Sequence, residues 1–357
     1  MLPERIISAD DHMDMNVLPP DLFLAGVPSA MRPSVPVVVD SDDGPMWSLD
    51  GAVLGPSGRR SKSLITQNDP GFRPGNPRDR LADMDRDGIH AHVVYGPPLS
   101  LPIPDLEVRA ACLRAYNDWA ADFNRTDPNR LVVLALLPSH TPAAATAELE
   151  RAAALGHRGA IVDFLAGPDP AFEDSWEGFW ALANELAIPI SFHLGKGMHS
   201  IEVRPGSWRM AAGVAVSPMQ LDEVITGMIL SGLLERYPNV RVVFGEAGLG
   251  WVPYLLARLD HEYEKYRDLI HDAVLTMRPR DYFRRQVFLT YEDDHLGIEL
   301  LPHIGASNVL WASDYPHGDS TWPHSREAIL ASGLGQLDEA DRRLILWDNA
   351  ASLYNIV

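Results

Sequence analysis

Cysteine is nearly missing from this sequence: Cys112 stands alone among 357 residues. One thiol builds neither a disulfide framework within the chain nor a cysteine-based zinc site. Cys112 itself reads as a small buried hydrophobe on a helix. Basic residues are also scarce, 30 against 49 acidic ones, for a formal net charge of −19. So negative a surface repels phosphate backbones and anionic lipid, which argues against nucleic acid or a membrane as partner. No run of eighteen apolar residues occurs, and Met1-Leu2-Pro3-Glu4-Arg5 has no positive stretch leading into an apolar run. A soluble, cytoplasmic protein is expected.

What is present is an ordinary globular balance, 46% hydrophobic and 22% charged, with enough material for a large core. Short β-branched or apolar runs alternate with longer helical patterns, the rhythm of a parallel α/β fold. Strands are expected over 5–9, 90–95, 131–137, 159–163, 189–193, 240–246, 286–291 and 308–313. Helices are expected over 80–87, 105–124, 142–155, 176–186, 218–235, 252–266 and 295–304. Eight strands, each followed by helical material, favour a (β/α)8 TIM barrel over an open sheet. With no linker, repeat or low-complexity tract, residues 1–357 read as a single domain. Residues 13–78 are rich in Pro, Gly and Ser and too long for a plain connection; they read as an excursion forming a lid or a subunit contact.

In such a barrel the chemistry lies at the carboxyl ends of the strands. The first strand offers Asp10-Asp11-His12, the fifth His193, the sixth Glu246 and the eighth Asp314. Residues two apart on a strand share a face, so Asp10 and His12 point together into the barrel mouth while Asp11 faces away as a structural residue. Asp10, His12, His193, Glu246 and Asp314 are the donors a divalent ion such as zinc, manganese or iron requires, as one ion or two. Crowded carboxylates without a cation would raise one another's pKa. Singly, each residue has a plainer reading: a strand-end cap for Asp10 or Asp314, a core hydrogen bond for His12 or His193, a place beside the ion for Glu246. Jointly those readings are hard to sustain. Tyr95 at the second strand end, His199 after the fifth strand and Trp322 beyond Asp314 are candidate substrate contacts; a rim, solvated-loop or packing role is the alternative for each. His317, three residues after Asp314, is a candidate catalytic group. Asp319 lies in the same loop, Lys196 accompanies His199, and Trp251 reads as packing.

These motifs carry a family likeness. Ile6-Ile7-Ser8-Ala9-Asp10-Asp11-His12, Tyr116-Asn117-Asp118-Trp119, Pro128-Asn129-Arg130-Leu131, His193, Tyr237-Pro238-Asn239-Val240, Gly245-Glu246-Ala247-Gly248 and Ala312-Ser313-Asp314-Tyr315-Pro316-His317 follow one another in order along nearly the whole chain. In that order they resemble the amidohydrolase superfamily, in the branch of aminocarboxymuconate-semialdehyde decarboxylase and the resorcylate-type decarboxylases. The resemblance implies a barrel with one catalytic metal, usually zinc or manganese, held by Asp10, His12, His193 and Asp314, in a homodimer. Decarboxylating relatives carry a histidine in a Gly-His-x-Gly context where this chain has Glu246.

Three chemistries follow. In the first, water on the metal attacks a small amide, lactone or related carbonyl compound, with Asp314 or Glu246 carrying the proton; this hydrolase is the leading expectation. The alternative is a metal-dependent, non-oxidative decarboxylase of a small carboxylic acid, aromatic acids included, favoured by the likeness and opposed by the absent histidine. A dinuclear redox enzyme, with Glu246 and His317 supporting a second ion, is the third. A binding scaffold on a decayed barrel predicts a broken donor set, and none is broken here.

Overall fold

The computed structural model of the protein describes residues 2–58, 75–97, 101, 103–164, 167, 169–194, 201, 204, 206–318 and 320–357. Its strands, in chain order, are β1 (Ile7–His12), β2 (Val37–Val39), β3 (Met46–Leu49), β4 (Ala52–Pro56), β5 (Ala91–Tyr95), β6 (Leu131–Val133), β7 (Ala135–Leu136), β8 (Ala160–Ile161), β9 (Ile190–His193), β10 (Val242–Gly245), β11 (Val287–Tyr291) and β12 (Val309–Trp311). Nine of them form the barrel. They are short and largely buried on both faces, and apart from the polar β1 mostly apolar, as parallel strands covered by helices must be. One parallel run is β1-β5-β6 and the other β7-β8-β9-β10-β11-β12.

Backbone hydrogen bonds bridge the two seams. The Leu134 amide, between β6 and β7, donates to the Val94 carbonyl (2.9 Å), so β6 and β7 act as one barrel strand. On the other side the Asp314 amide donates to the Asp10 carbonyl (3.2 Å) and the His12 amide to the Tyr315 carbonyl (2.7 Å). Eight strand positions result, and the fold is a (β/α)8 barrel.

The helices Pro142–Leu155 and Val252–Tyr266 have the expected bounds. The first is delimited locally: the Thr141 side chain accepts from the Ala144 amide, and Gly156 ends it with φ 92°, a backbone region where glycine is unstrained. Elsewhere the expectations shift. The first strand runs through His12 rather than stopping at Ala9, because Asp10, Asp11 and His12 are all buried in the ladder. Residues 218–235 divide into helices Leu221–Leu230 and Leu233–Arg236 at left-handed Gly232 (φ 76°). An unanticipated helix, Trp208–Val216, precedes them; exposed Trp208 and Val214 weaken its amphipathic pattern. Helix 295–304 breaks at Leu300.

The excursion has more order than its composition suggests. It holds a helix, Leu22–Gly26, and the antiparallel sheet β2-β3-β4. Asp50 and Gly51 turn β3 into β4 with φ of 50° and 82°, the left-handed pair that a two-residue hairpin demands. Buried Trp47 meets Phe23 edge-on at 5.6 Å. A Cβ on Gly26 would sit only 2.4 Å from Ala115 Cβ, on the barrel helix Leu106–Asn124. This part of the excursion is therefore packed against the barrel wall. Residues 59–74 lie outside the described residues.

Asn117 shows how that helix is fastened. Its side chain donates to the Leu136 carbonyl (2.9 Å) and to Glu148 Oε1 (2.6 Å), and accepts from the Leu136 amide (2.7 Å). All of this is buried, so removing the amide strands a strand carbonyl, a strand amide and a carboxylate. Asn117→Ala is expected to lower unfolding free energy by about 2 to 3 kcal/mol. Urea denaturation would read this, with the bound-metal content of the folded fraction unchanged.

Candidate metal centre

Asp10, on β1, sends its two carboxylate oxygens different ways. Oδ2 accepts the Thr290 hydroxyl from β11 (2.6 Å) and the Glu246 amide at the end of β10 (2.8 Å). Oδ1 is buried without a hydrogen-bond partner and lies 3.8 Å from Nε2 of both His12 and His193. His193 is fixed in the complementary sense. Its Nδ1 faces the Leu194 carbonyl at 2.8 Å, which places the ring proton on Nδ1 and leaves the Nε2 lone pair for the centre.

The remaining donors complete a ring around those nitrogens. Glu246 Oε1 lies 3.5 Å from Nε2 of both imidazoles, and Asp314 Oδ1 lies 2.9 Å from His12 Nε2. Although that close, His12 Nε2 has no aligned hydrogen bond, and neither has His193 Nε2. Donors bound at about 2.0–2.2 Å to one ion sit about 3.0–3.5 Å from one another. Orphaned buried nitrogens and oxygens at these separations fit a shared cation better than shared protons.

Local backbone serves this arrangement. Glu246 and Asp314 have φ of 50° and 58°, a left-handed conformation costing roughly 1–2 kcal/mol outside glycine. Glu246 directly follows β10 and Asp314 comes three residues after the end of β12, and the twist turns each carboxylate over the mouth. Gly245 must be glycine for room: a Cβ there would meet His193 Cδ2 at 2.7 Å and Asp10 Oδ2 at 2.9 Å. Asp294 steadies the loop after Glu246, accepting the Leu249, Gly250 and Gly297 amides.

Charge at the site is out of balance. Three carboxylates face two imidazoles, which are positive only when protonated. Burial pushes the Asp10 carboxyl up, and His193 and His12 offset only part of that. Burial acts against a charged His12, yet Asp314, Glu246 and Asp10 carry its pKa well above the usual imidazole range. Burial acts against a charged His193 too, yet Glu246 and Asp10 together raise it. Glu246 is held well below the usual carboxylate range because His193 and His12 overcome its own burial. A divalent cation relieves the same imbalance with the imidazoles neutral.

His317 stacks on His12 with centroids 4.0 Å apart. Its Nδ1 lies 3.0 Å from both Asp314 oxygens and its Nε2 lies 3.1 Å from Asp14 Oδ2. Despite burial and the neighbouring His12, Asp14 and Asp314 push it up to about 10. The structure thus groups Asp10, His12, His193, Glu246, Asp314 and His317.

The three candidate substrate contacts fare differently. Tyr95 lies under the group, its ring 5.3 Å from that of His193 and only 1% exposed, so it is floor rather than wall. Trp322 is displaced from the expected role. Its indole donates to the Asp83 carbonyl (3.1 Å), Arg86 lies over its ring and Tyr315 is its aromatic neighbour, so it packs behind the Asp314 loop. His199, like Lys196 and Asp319, lies outside the described residues. Asp11 faces away as expected: its Oδ1 accepts from the Ser8 and Ser313 hydroxyls and the Tyr315 amide, joining β1 to the last strand.

Thr290, Asp14 and Asp294 went unrecognised in the sequence. Thr290 left a trace, the one aliphatic hydroxyl in the run Val287-Phe288-Leu289-Thr290-Tyr291. Asp14 and Asp294 stand among other acidic loop residues with nothing to distinguish them.

Comparison with known proteins decides the family. The amidohydrolase family model matches residues 103–356. The chain belongs to the amidohydrolase family. Its likeness to a gamma-resorcylate decarboxylase of Rhodococcus jostii is 29% identity over 299 residues, covering 78% of this chain and 87% of that protein. An amidohydrolase of Mycobacterium avium subsp. paratuberculosis has the same fold, with TM-score 0.76 and 20% identity over 99% of this chain and 100% of that one. A dihydroxybenzoic acid decarboxylase of Polaromonas, solved with bound manganese and the inhibitor 2-nitroresorcinol, gives TM-score 0.66 and 21% identity over 100% and 98%. The resemblance drawn from the strand-end motifs is the one found, and this amidohydrolase has a donor set able to hold a divalent ion. Among the described residues no helix is long and apolar enough to cross a membrane.

Thr290→Val is expected to free Asp10 and weaken metal affinity by about 10- to 100-fold, the usual effect of losing a hydrogen bond behind a ligand. Competition against a chromophoric chelator measures it. Gly245→Ala, which pushes into His193 and Asp10 directly, is expected to weaken binding further than Thr290→Val.

Proposed function

We propose that this amidohydrolase is a divalent-metal-dependent, non-oxidative decarboxylase of a small hydroxylated aromatic acid. The observation that carries the reading is the set Asp10, His12, His193 and Asp314 at the strand ends of a chain resembling resorcylate decarboxylases over most of its length. The hydrolase expectation had put water activation first; the relatives favour loss of CO2.

A divalent ion held by these four residues would supply a Lewis acid that draws in the substrate's oxygens and stabilises developing negative charge. The reaction converts R–COO⁻ and H⁺ into R–H and CO2. The bond between ring carbon and carboxylate breaks, its electron pair stays on the ring, and a proton must reach that carbon. Asp314 stands at the centre with both oxygens on His317 Nδ1, and His317 Nε2 reaches Asp14, whose side chain is 24% exposed. We assign Asp314 and His317 to hold and move that proton, with Asp14 passing it from the rim. Tyr95, only 1% exposed, lies below the centre and keeps that side dry.

A hydrolase remains the second reading, and Glu246 is what favours it. A carboxylate where the decarboxylating relatives carry histidine can accept a proton from attacking water. Assay of the manganese-loaded protein separates the two. CO2 release from dihydroxybenzoates, with small amides and lactones left intact, is the expected result. Stripping the metal with a chelator should abolish activity and manganese should restore it. Asp314→Asn should lower kcat by about 10² or more. Turnover of amides with no CO2 from any aromatic acid would sink the proposal.

A further inference from the structure

The five donors of the centre are not equally tethered. Side-chain exposure is 2% for Asp10, 5% for His12, 10% for Asp314 and 21% for His193, but 37% for Glu246. Asp10 is anchored by Thr290 and an amide, His193 by a carbonyl and Asp314 by His317. Among the described residues the Glu246 carboxylate meets only the two imidazole nitrogens. It also has one more rotatable bond than an aspartate, and solvent to swing into.

Counting positions turns this into a statement about substrate. An ion accepting six ligands and held by five side chains keeps one position open. A dihydroxybenzoate, or the 2-nitroresorcinol bound to the Polaromonas relative, presents two oxygens on neighbouring substituents. Such a ligand chelates through two adjacent positions, so one protein donor must yield. We propose that Glu246 is an exchangeable fifth ligand, bound to the ion in the resting protein and displaced when an ortho-hydroxy acid chelates. This rests on the proposed metal site and adds that Glu246 sets the substrate class: chelating acids open the site, and monodentate carboxylates do not. Once released, the carboxylate swings to the solvent side of the pocket; one ligand oxygen takes the open position, the other replaces the Glu246 oxygen, and no covalent bond is made or broken.

Cobalt-loaded protein tests this without turnover, since cobalt(II) absorption reports the ligand sphere. Glu246→Gly is the main variant, because glycine adopts the φ of 50° found there without strain; Glu246→Gln is the second. The free wild type and the free variants should differ in their visible bands. Saturation with 2-nitroresorcinol should make the spectra coincide, with binding to Glu246→Gly tighter by about tenfold or more. Acetate, a monodentate carboxylate, can take the open position without displacing Glu246, so the acetate-bound wild type and variants should keep different bands; coincident bands would overturn the link to chelation. Identical bands in the free proteins would mean that Glu246 never binds the ion, and different bands in the nitroresorcinol complexes would mean that it never leaves; either overturns the inference. A protein passing these tests but releasing no CO2 fails only as a decarboxylase. One that releases CO2 with identical free spectra fails only here.

Discussion

Carboxylates gathered at the mouth of a barrel, mostly out of water, repel one another unless something positive lies between them, and the site is arranged around that constraint. Asp10 and Glu246 approach the Nε2 atoms of both His12 and His193, and Asp314 that of His12. Two protons on the imidazoles or one divalent ion can settle the field. The hydrogen bonds choose between them. Thr290 and an amide occupy the far oxygen of Asp10, and the Leu194 carbonyl occupies the far nitrogen of His193. Both fixings leave lone pairs converging on one point, which is the electronic demand of a metal and not of a proton.

The fold supplies precision where sequence alone supplies only donors. Strained turns at Glu246 and Asp314 come within three residues of strands that are buried, so the surrounding packing bears the strain at the functional positions. Behind them runs a second polar layer. Asp11 ties Ser8, Ser313 and the Tyr315 amide, and Arg80 donates to the His12 carbonyl at 2.5 Å. That layer has no part in binding an ion. It holds β1 in register with the segment that carries Asp314.

Much of this was legible from residues. Alternating apolar runs gave the strand count, and polar residues at strand ends gave the donors, because a charged residue closing an apolar run needs a reason. Tertiary partners were harder to read. Thr290 looks like any β-branched strand residue until Asp10 is placed opposite it. Trp322 stands close to Asp314 in sequence, which suggests a pocket aromatic, but its indole turns to the Asp83 carbonyl instead. The β2-β3-β4 sheet hid in a stretch whose Pro and Gly content masks periodicity, although Asp50-Gly51 is a hairpin signal in its own right.

The seam between β1 and the last strand has a temporal side. The Ser8 and Ser313 hydroxyls that meet there are 305 positions apart. On the ribosome, Asp10, His12, His193 and Glu246 all emerge before Asp314 does. Until then the nascent chain carries an unclosed edge and a partial set of acidic and imidazole ligands. Closure of the cylinder and completion of the donor ring are thus a single event, which waits for the segment that carries Asp314.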